Sequence, residues 1–250
     1  MLNIDVSHEP NPSGAKRLFH WMRRHWVLSI LALLFLWVLL EVAFLPFGEI
    51  TKLKSANPVG TAFMRLHQER AQEEGTSFTR KYQWIPIGRM PSHLVNAVVV
   101  SEDGTFWSHE GFDWFELRAS FERNISEGRI SRGASTITQQ LVKNLFLSPS
   151  KNPLRKMKEW ILTWRMEQVL GKSRIMELYL NVIEWGGGVY GAEAASRYYF
   201  AKSASLLSRE EAARLAAIIP NPRRYRADGD SRYVSHRARV ILTRMAARGL

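Results

Sequence analysis

Residues 92–114 read SHLVNAVVVSEDGTFWSHEGFDW. Leu94, Val95, Val98 and Val99 recur at helical spacing, and Ser92, after Pro91, suits an N-cap, so the first half predicts a helix. That helix runs out into Glu102 and Asp103. The segment after it is punctuated by Gly104 and Gly111 and carries Phe106, His109 and Asp113. An apolar helix ending in a carboxylate can hold that carboxylate at the rim of a cleft. Partial desolvation there raises a carboxyl pKa toward neutrality, as a general acid or base requires. The same letters also describe a solvated helix end followed by a turn, and local spacing leaves both readings open.

The neighbouring sequence stays mostly helical. Helical patterns cover 113–127, 135–145, 153–170, 173–182, 190–198, 208–218 and 232–247, separated by Gly128, Gly133, Gly171 and the run Gly186-Gly187-Gly188. Asn152 and Pro153 fit N-cap and first-turn positions. Ser173 can cap RIMELYLN, and Ser208 with Glu211 forms a capping-box pattern. Upstream, Lys81 to Ile87 (KYQWIPI) alternates as one short strand, and residues 62–74 (AFMRLHQERAQEE) form a polar helix after the turn Asn57-Pro58-Val59-Gly60. The expected fold class is mainly α, with no internal repeat.

Residues 26–47, WVLSILALLFLWVLLEVAFLPF, carry only Ser29 and Glu41 as clearly polar side chains. Crossing a hydrocarbon core takes roughly 20 apolar residues. Lys16, Arg17, Arg23 and Arg24 flank the N-terminal side with no acid between them, so the first residues stay cytoplasmic and the remainder is exported. Trp21 and Trp26 suit the interfacial level. A cleaved signal would have a shorter apolar stretch and an A-x-A-like site, which does not follow here. Glu41 is costly in mid-membrane but lies near the outer end. The expected organisation is a cytoplasmic tail over 1–25, one transmembrane anchor over 26–47, a linker and juxtamembrane helix over 48–74, and a catalytic domain over 75–250.

The net charge of +12 asks for an anionic partner: nucleic acid, anionic lipid or a phosphorylated ligand. The anchor favours a membrane-linked one. With no cysteine, a disulfide scaffold, a thiol nucleophile and any Cys-ligated metal are excluded. Two Ser-x-x-Lys matches, Ser13 to Lys16 and Ser148 to Lys151, lack any Lys-Ser/Thr-Gly partner, so a transpeptidase reading fails.

Two further constellations carry chemistry. In RGASTITQQLVKN (132–144), a helix over 135–145 places Gln139, Gln140 and Lys143 within one turn, and Ser135 at its start offers free N–H groups to an anion. In NPLRKMKEW (152–160), Arg155 and Glu159 stand at i and i+4. They make either a surface ion pair or a carboxylate oriented beside a basic cluster of Lys143, Lys151, Arg155 and Lys156. Phe146, Leu147, Leu154, Trp160, Ile161 and Trp164 around that cluster suit a surface dipping into a membrane interface. In RIMELYLN (174–181) and the small residues after it, the apolar stripe reads as core.

Taken in order, EDGTFWSHEGFD, RGASTITQQLVKN, RKMKE, RIMELYLNVIEWGGGVYGAEAASRYYF and the stretch ending IIPNPRRY resemble the family 51 glycosyltransferases, the peptidoglycan polymerases. The resemblance spans about residues 95–225. It implies a lysozyme-like helical domain with a small membrane-facing subdomain, preceded by one N-terminal transmembrane helix. It further implies that Glu102 is the catalytic base, acting on the 4-hydroxyl of lipid II, and that Glu159 is the second essential glutamate at the diphosphate side. Lys143 and Arg155 match diphosphate contacts. Asp103, Phe106, His109, Ser135, Thr136, Gln139, Asn144 and Lys151 match further substrate-site or structural positions. Ala134 replaces a frequent glycine, and Lys151 stands where arginine is expected, keeping charge but losing the bidentate fork.

The expected partners are lipid II, the growing lipid-linked glycan and membrane lipids, with cell-wall or division proteins in addition and no nucleic acid. The expected place is the bacterial inner membrane, single-pass, with the catalytic domain periplasmic. No cofactor is expected and no metal-ligand cluster is evident, although the family is often assayed with divalent cations such as Mg or Mn. Two alternatives stay in view: a lytic, lysozyme-like glycosidase, which has little need of a phosphate-binding cluster, and a non-catalytic membrane adaptor.

Overall fold

The computed structural model describes residues 19, 21, 23–126, 135–149 and 152–250. The chain divides into two compact units, residues 1–45 and 46–250. In the first, helix α1 (Trp26–Ala43) is apolar all round and long and apolar enough to cross a membrane. The helix stops short of the expected Phe47. Pro46 lacks the N–H a continuing helix needs, and its ring would strike the carbonyl four residues back. The proline instead occupies the N-cap position of α2 (Phe47–Lys52).

The second unit is mainly helical. It continues with α3 (Ala62–Glu73), β1 (Lys81–Tyr82), α4 (Ser92–Glu102), α5 (Trp114–Ser126), α6 (Ile137–Phe146) and α7 (Pro153–Val169). Then follow α8 (Lys172–Val182), β2 (Glu184–Gly186), β3 (Val189–Tyr190), α9 (Ala192–Phe200), α10 (Arg209–Ile218) and α11 (Arg232–Ala247). Two groupings place the site. Helices α4, α10 and α11 pack mutually, and α6 packs on both α7 and α8. α8 buries Ile175, Met176 and every residue from Leu178 to Val182, which makes it the helix surrounded by core, as its apolar stripe predicts.

The helix forecast holds to within a few residues, and most discrepancies are at caps. Pro91, not Ser92, is the N-cap of α4, and the Ser92 hydroxyl makes no capping bond. Gly171 occupies the cap of α8, so Ser173 lies inside it. The predicted caps Asn152 and Ser208 are in place; Asn152 accepts from Leu154 N, and Ser208 with Glu211 closes a capping box.

The predicted strand over Lys81–Ile87 shrinks to two residues. Pro86 has no N–H for a ladder, and Ile85 pairs instead with the Asn181 side chain, donating to Oδ1 and accepting from Nδ2, both at 2.9 Å. The sheet is three-stranded, in the order β1-β3-β2, with β1 parallel and β2 antiparallel to β3. Its second and third strands come from EWGGGVY, whose glycine run reads as loop. Gly188 at φ +75° turns the chain there, and a Cβ on it would lie only 2.8 Å from the Thr79 carbonyl oxygen.

Candidate active site

Glu102 is the last residue of α4, carried on the buried stripe of Leu94, Ala97, Val98, Val99 and Val100. Its side chain keeps 10% exposure. One carboxylate oxygen, Oε2, accepts from Gln140 Nε2 at 3.2 Å. The other, Oε1, accepts from Ser101 Oγ at 3.1 Å and lies 3.6 Å from Arg237 Nη2. Burial pushes the Glu102 carboxyl above its ordinary value; Gln140, Arg237 and Ser101 pull it back in part, and neighbouring Asp103 adds to the rise. The carboxylate is thus desolvated, unlike a solvated helix end.

Asp103, Phe106 and His109 do different work from Glu102. Asp103 is buried, and its Oδ2 accepts from Ile137 N at 2.9 Å, the first amide of α6. His109 donates from Nε2 to the same carboxylate at 3.0 Å, while its Nδ1 accepts from Gly111 N at 3.1 Å. Both imidazole nitrogens are therefore committed. Phe106 is fully buried, with Lys172 Nζ 4.5 Å from its ring centroid. The three residues fix the loop between α4 and α5 and tie it to the start of α6.

Thr136 and Gln139 close a reciprocal capping box at that start, and Thr136 Oγ1 also donates to the Gly111 carbonyl at 2.7 Å. The α6 amides expected to meet an anion are largely taken: Ile137 N by Asp103, Gln139 N by Thr136. Gln139 is buried and its side-chain oxygen accepts from Thr136 N at 3.0 Å, whereas Gln140 and Lys143 are partly exposed. Ser135 gives its carbonyl to Gln140 Nε2 at 3.5 Å, and Asn144 Nδ2 donates to the Gln140 carbonyl at 2.8 Å. Lys151 lies outside the described residues, as do Arg132, Gly133 and Ala134.

Glu159, on α7, is not a surface ion pair. Its side chain is 3% exposed, with Oε2 accepting from Arg155 Nη1 at 2.6 Å and Oε1 held by Lys156. The two partners sit three and four residues earlier, so one helical turn supplies both cations. Lys143, on α6, faces this cluster as well. Burial draws its ammonium pKa down; Glu159 is the larger of the two carboxylate influences drawing it up, and Glu102 the other. A half-buried ammonium thus feels both glutamates, between two carboxylates of contrasting surroundings. Glu102 is poor in cations and desolvated, whereas Glu159 is cation-rich. An anionic group entering beside Lys143, Arg155 and Lys156 would meet a surplus of positive charge.

Next to this cluster α7 turns apolar. Trp160 and Trp164 are exposed, Trp160 lies 6.3 Å from the Trp114 ring and 5.8 Å from Phe112, and Trp114, Phe115, Phe121 and Ile125 expose the flank of α5. So much contiguous exposed aromatic surface marks an interaction face. Four contributors to the Glu102 environment are absent from the expected site: Ser101, Gln140 as its amide donor, Tyr179 and Arg237. Tyr179 reads as core in its stripe, and Arg237 sits 136 residues from Ser101, to which its Nη2 donates at 3.2 Å. Only the α6–α8 and α4–α11 packing could reveal them. Among the described residues, no group of three or more His, Asp and Glu side chains is gathered as a metal site.

A family model described as Transglycosylase matches residues 68–246. The chain is 45% identical over 215 residues to a biosynthetic peptidoglycan transglycosylase of Nitrosospira multiformis, covering 86% of this chain and 94% of that one. A protein of the same description from Methylobacillus flagellatus is 48% identical over 189 residues, covering 76% and 82%. One from Chromobacterium violaceum is 46% identical over 211 residues, covering 84% and 89%.

Proposed function

Because this chain belongs to the transglycosylase family, we propose that it polymerises lipid II into glycan strands with Glu102 as the general base. It is a peptidoglycan glycosyltransferase, with the mainly α, lysozyme-like domain expected of one. In the proposed step, Glu102 takes the proton of the acceptor's 4-hydroxyl. That oxygen attacks C1 of the lipid-linked chain, the C1–O bond to the diphosphate breaks, and undecaprenyl diphosphate leaves with the electron pair. The attack from the opposite face inverts the anomeric centre to a β-1,4 link, and the lengthened strand remains on the enzyme for the next addition.

The observation that carries this reading is the contrast between the two glutamates. A desolvated carboxylate with a raised pKa is a stronger proton acceptor than a solvated one. Glu159 is buried as well but ion-paired, and its role is to hold Arg155 and Lys156 in place beside Lys143 where the diphosphate charge develops. The exposed aromatics of α5 and α7 adjoin that cluster, which suits a substrate whose diphosphate sits at the lipid headgroup level. The anchor is α1, with its N-terminus cytoplasmic and the catalytic unit periplasmic, following the basic flank of the span.

Purified full-length protein supplied with labelled lipid II tests the whole reading. Polymer is expected from the unaltered chain and none above background from Glu102→Gln. Cleavage of finished glycan without polymer would make it a lytic enzyme, and undiminished polymer from Glu102→Gln would remove Glu102 as the base.

A further inference from the structure

We infer that Tyr179 is a positioning residue for the transfer reaction, orienting the Gln140 amide so that its N–H rather than its carbonyl faces Glu102. The inference rests on the reading of Glu102 as the base. Tyr179 lies on α8 and is fully buried, yet its hydroxyl is not idle: it donates to Gln140 Oε1 at 2.8 Å. Burial holds this phenol well above its ordinary range, and the carboxylates of Glu102 and Asp103 push it the same way. It therefore stays protonated and has a proton to give. A donor at that position demands the oxygen end of the Gln140 amide, and the NH2 end is left to point at Glu102 Oε2, 3.2 Å away, and at the Ser135 carbonyl.

A glutamine amide is nearly symmetric in shape, so packing alone does not decide which end meets the carboxylate. With the phenol in place, every polar atom of the amide has a partner of the right kind. Without it, the amide is free to turn so that Oε1 accepts from a protonated Glu102; that orientation sets lone pair against charge once the carboxyl ionises, so the proton is held more tightly. Groups facing Glu102 from the packed elements are Asp103 beside it, Gln140 and Lys143 on α6, Tyr179 on α8, and Arg237 on α11. Of these, the Gln140 amide opposes the effect of burial most strongly. A residue controlling its orientation therefore controls how readily the base ionises without itself touching substrate.

Tyr179→Phe keeps the ring and its packing and removes only the hydroxyl. In the full chain in detergent micelles, with 13C-labelled glutamate carboxyls, the Glu102 signal is identified by its loss in Glu102→Gln. Its titration midpoint is expected to rise by about one pH unit in Tyr179→Phe, which is about tenfold in the proton equilibrium. The acid limb of kcat should rise equally, so turnover falls about tenfold on the acid side and recovers at high pH, with KM unchanged. On a Gln140→Met background Tyr179→Phe should add nothing. An unmoved midpoint, or the same shift without Gln140, would overturn the inference. If Glu102→Gln still polymerises, the base reading fails, while the carboxyl titration still judges the link from Tyr179 to Glu102.

Discussion

Glu102 and Glu159 show how one residue type takes two characters from its surroundings. Glu102 sits at the end of an apolar helix with one amide, one hydroxyl and a guanidinium 3.6 Å away. Because its carboxyl is raised in the folded state, the native protein binds that proton more tightly than the unfolded chain does. The sign follows: stability linked to this group is present at low pH and lost as pH rises from the ordinary carboxyl value, 4.5, through the raised one. Glu102→Gln should therefore lower polymerisation by on the order of 10²–10⁴-fold while melting higher than the unaltered protein at pH 8. That gain should vanish at pH 4, and thermal melts at the two values check it. The same raised carboxyl places the acid limb of turnover above the ordinary carboxyl range, measurable as rate against pH.

Glu159 predicts the reverse. Removing its charge leaves Arg155, Lys156 and the half-buried Lys143 in mutual repulsion. Glu159→Gln should cost about 2–4 kcal/mol, at the lower side for breaking a buried pair because Lys156 is partly solvated. A denaturant titration with unchanged slope would register it, and higher salt should relieve part of the loss.

At the scale of elements, the loop between α4 and α5 is the device that keeps Glu102 and α6 in register. Asp103 caps Ile137, His109 holds Asp103, and Thr136 reaches back to Gly111. Gly111 sits at φ +89°, and a Cβ there would come within 2.9 Å of Thr163 Cγ2 and Glu167 Cγ. Glu167 cannot simply swing away, since it accepts from Thr138 Oγ1 at 2.5 Å and Lys172 Nζ at 2.8 Å. Gly111→Ala should cost about 2–3 kcal/mol from the combined backbone strain and clash, and lower kcat more than KM, by moving Glu102 rather than the phosphate-side cations. Thr136→Ala, which loses a cap and the Gly111 bond, should cost about 1–2 kcal/mol. Chemical denaturation paired with steady-state kinetics separates the two.

For the whole molecule, the exposed aromatics of α5 and α7 do not stabilise the fold; they are outside the core. Replacing Phe115 and Trp164 together with serine should leave the melting temperature within about a degree or two, as surface changes do. In proteoliposomes of the full chain, the apparent KM for the lipid substrate should rise on the order of tenfold as the face loses its hold on the interface. A melt and a kinetic assay on the same variant decide it; an unchanged KM would detach this face from substrate capture.

Sequence and tertiary structure divided the work by range. Helix positions, the apolar span, the caps at Asn152 and Ser208, and the adjacency of Arg155 to Glu159 are set by periodicity and spacing within one or two turns, so they could be read from the letters. The pairing of Glu102 with Glu159 comes instead from the resemblance of the ordered motifs to a family, since local spacing leaves both open. Burial could not be read, because it depends on what packs from elsewhere. That is why Glu159 admits a surface ion pair on spacing alone, and why the use of Asp103, Phe106, Thr136 and Gln139 in the fold's own loops and caps is not legible in the letters. The small sheet, hidden in a glycine run, and the reach of Tyr179 and Arg237 toward Glu102 needed elements tens of residues apart to meet. Local interactions choose the helices. The environment of a single carboxylate is decided only when distant helices exclude water from it and supply its hydrogen bonds.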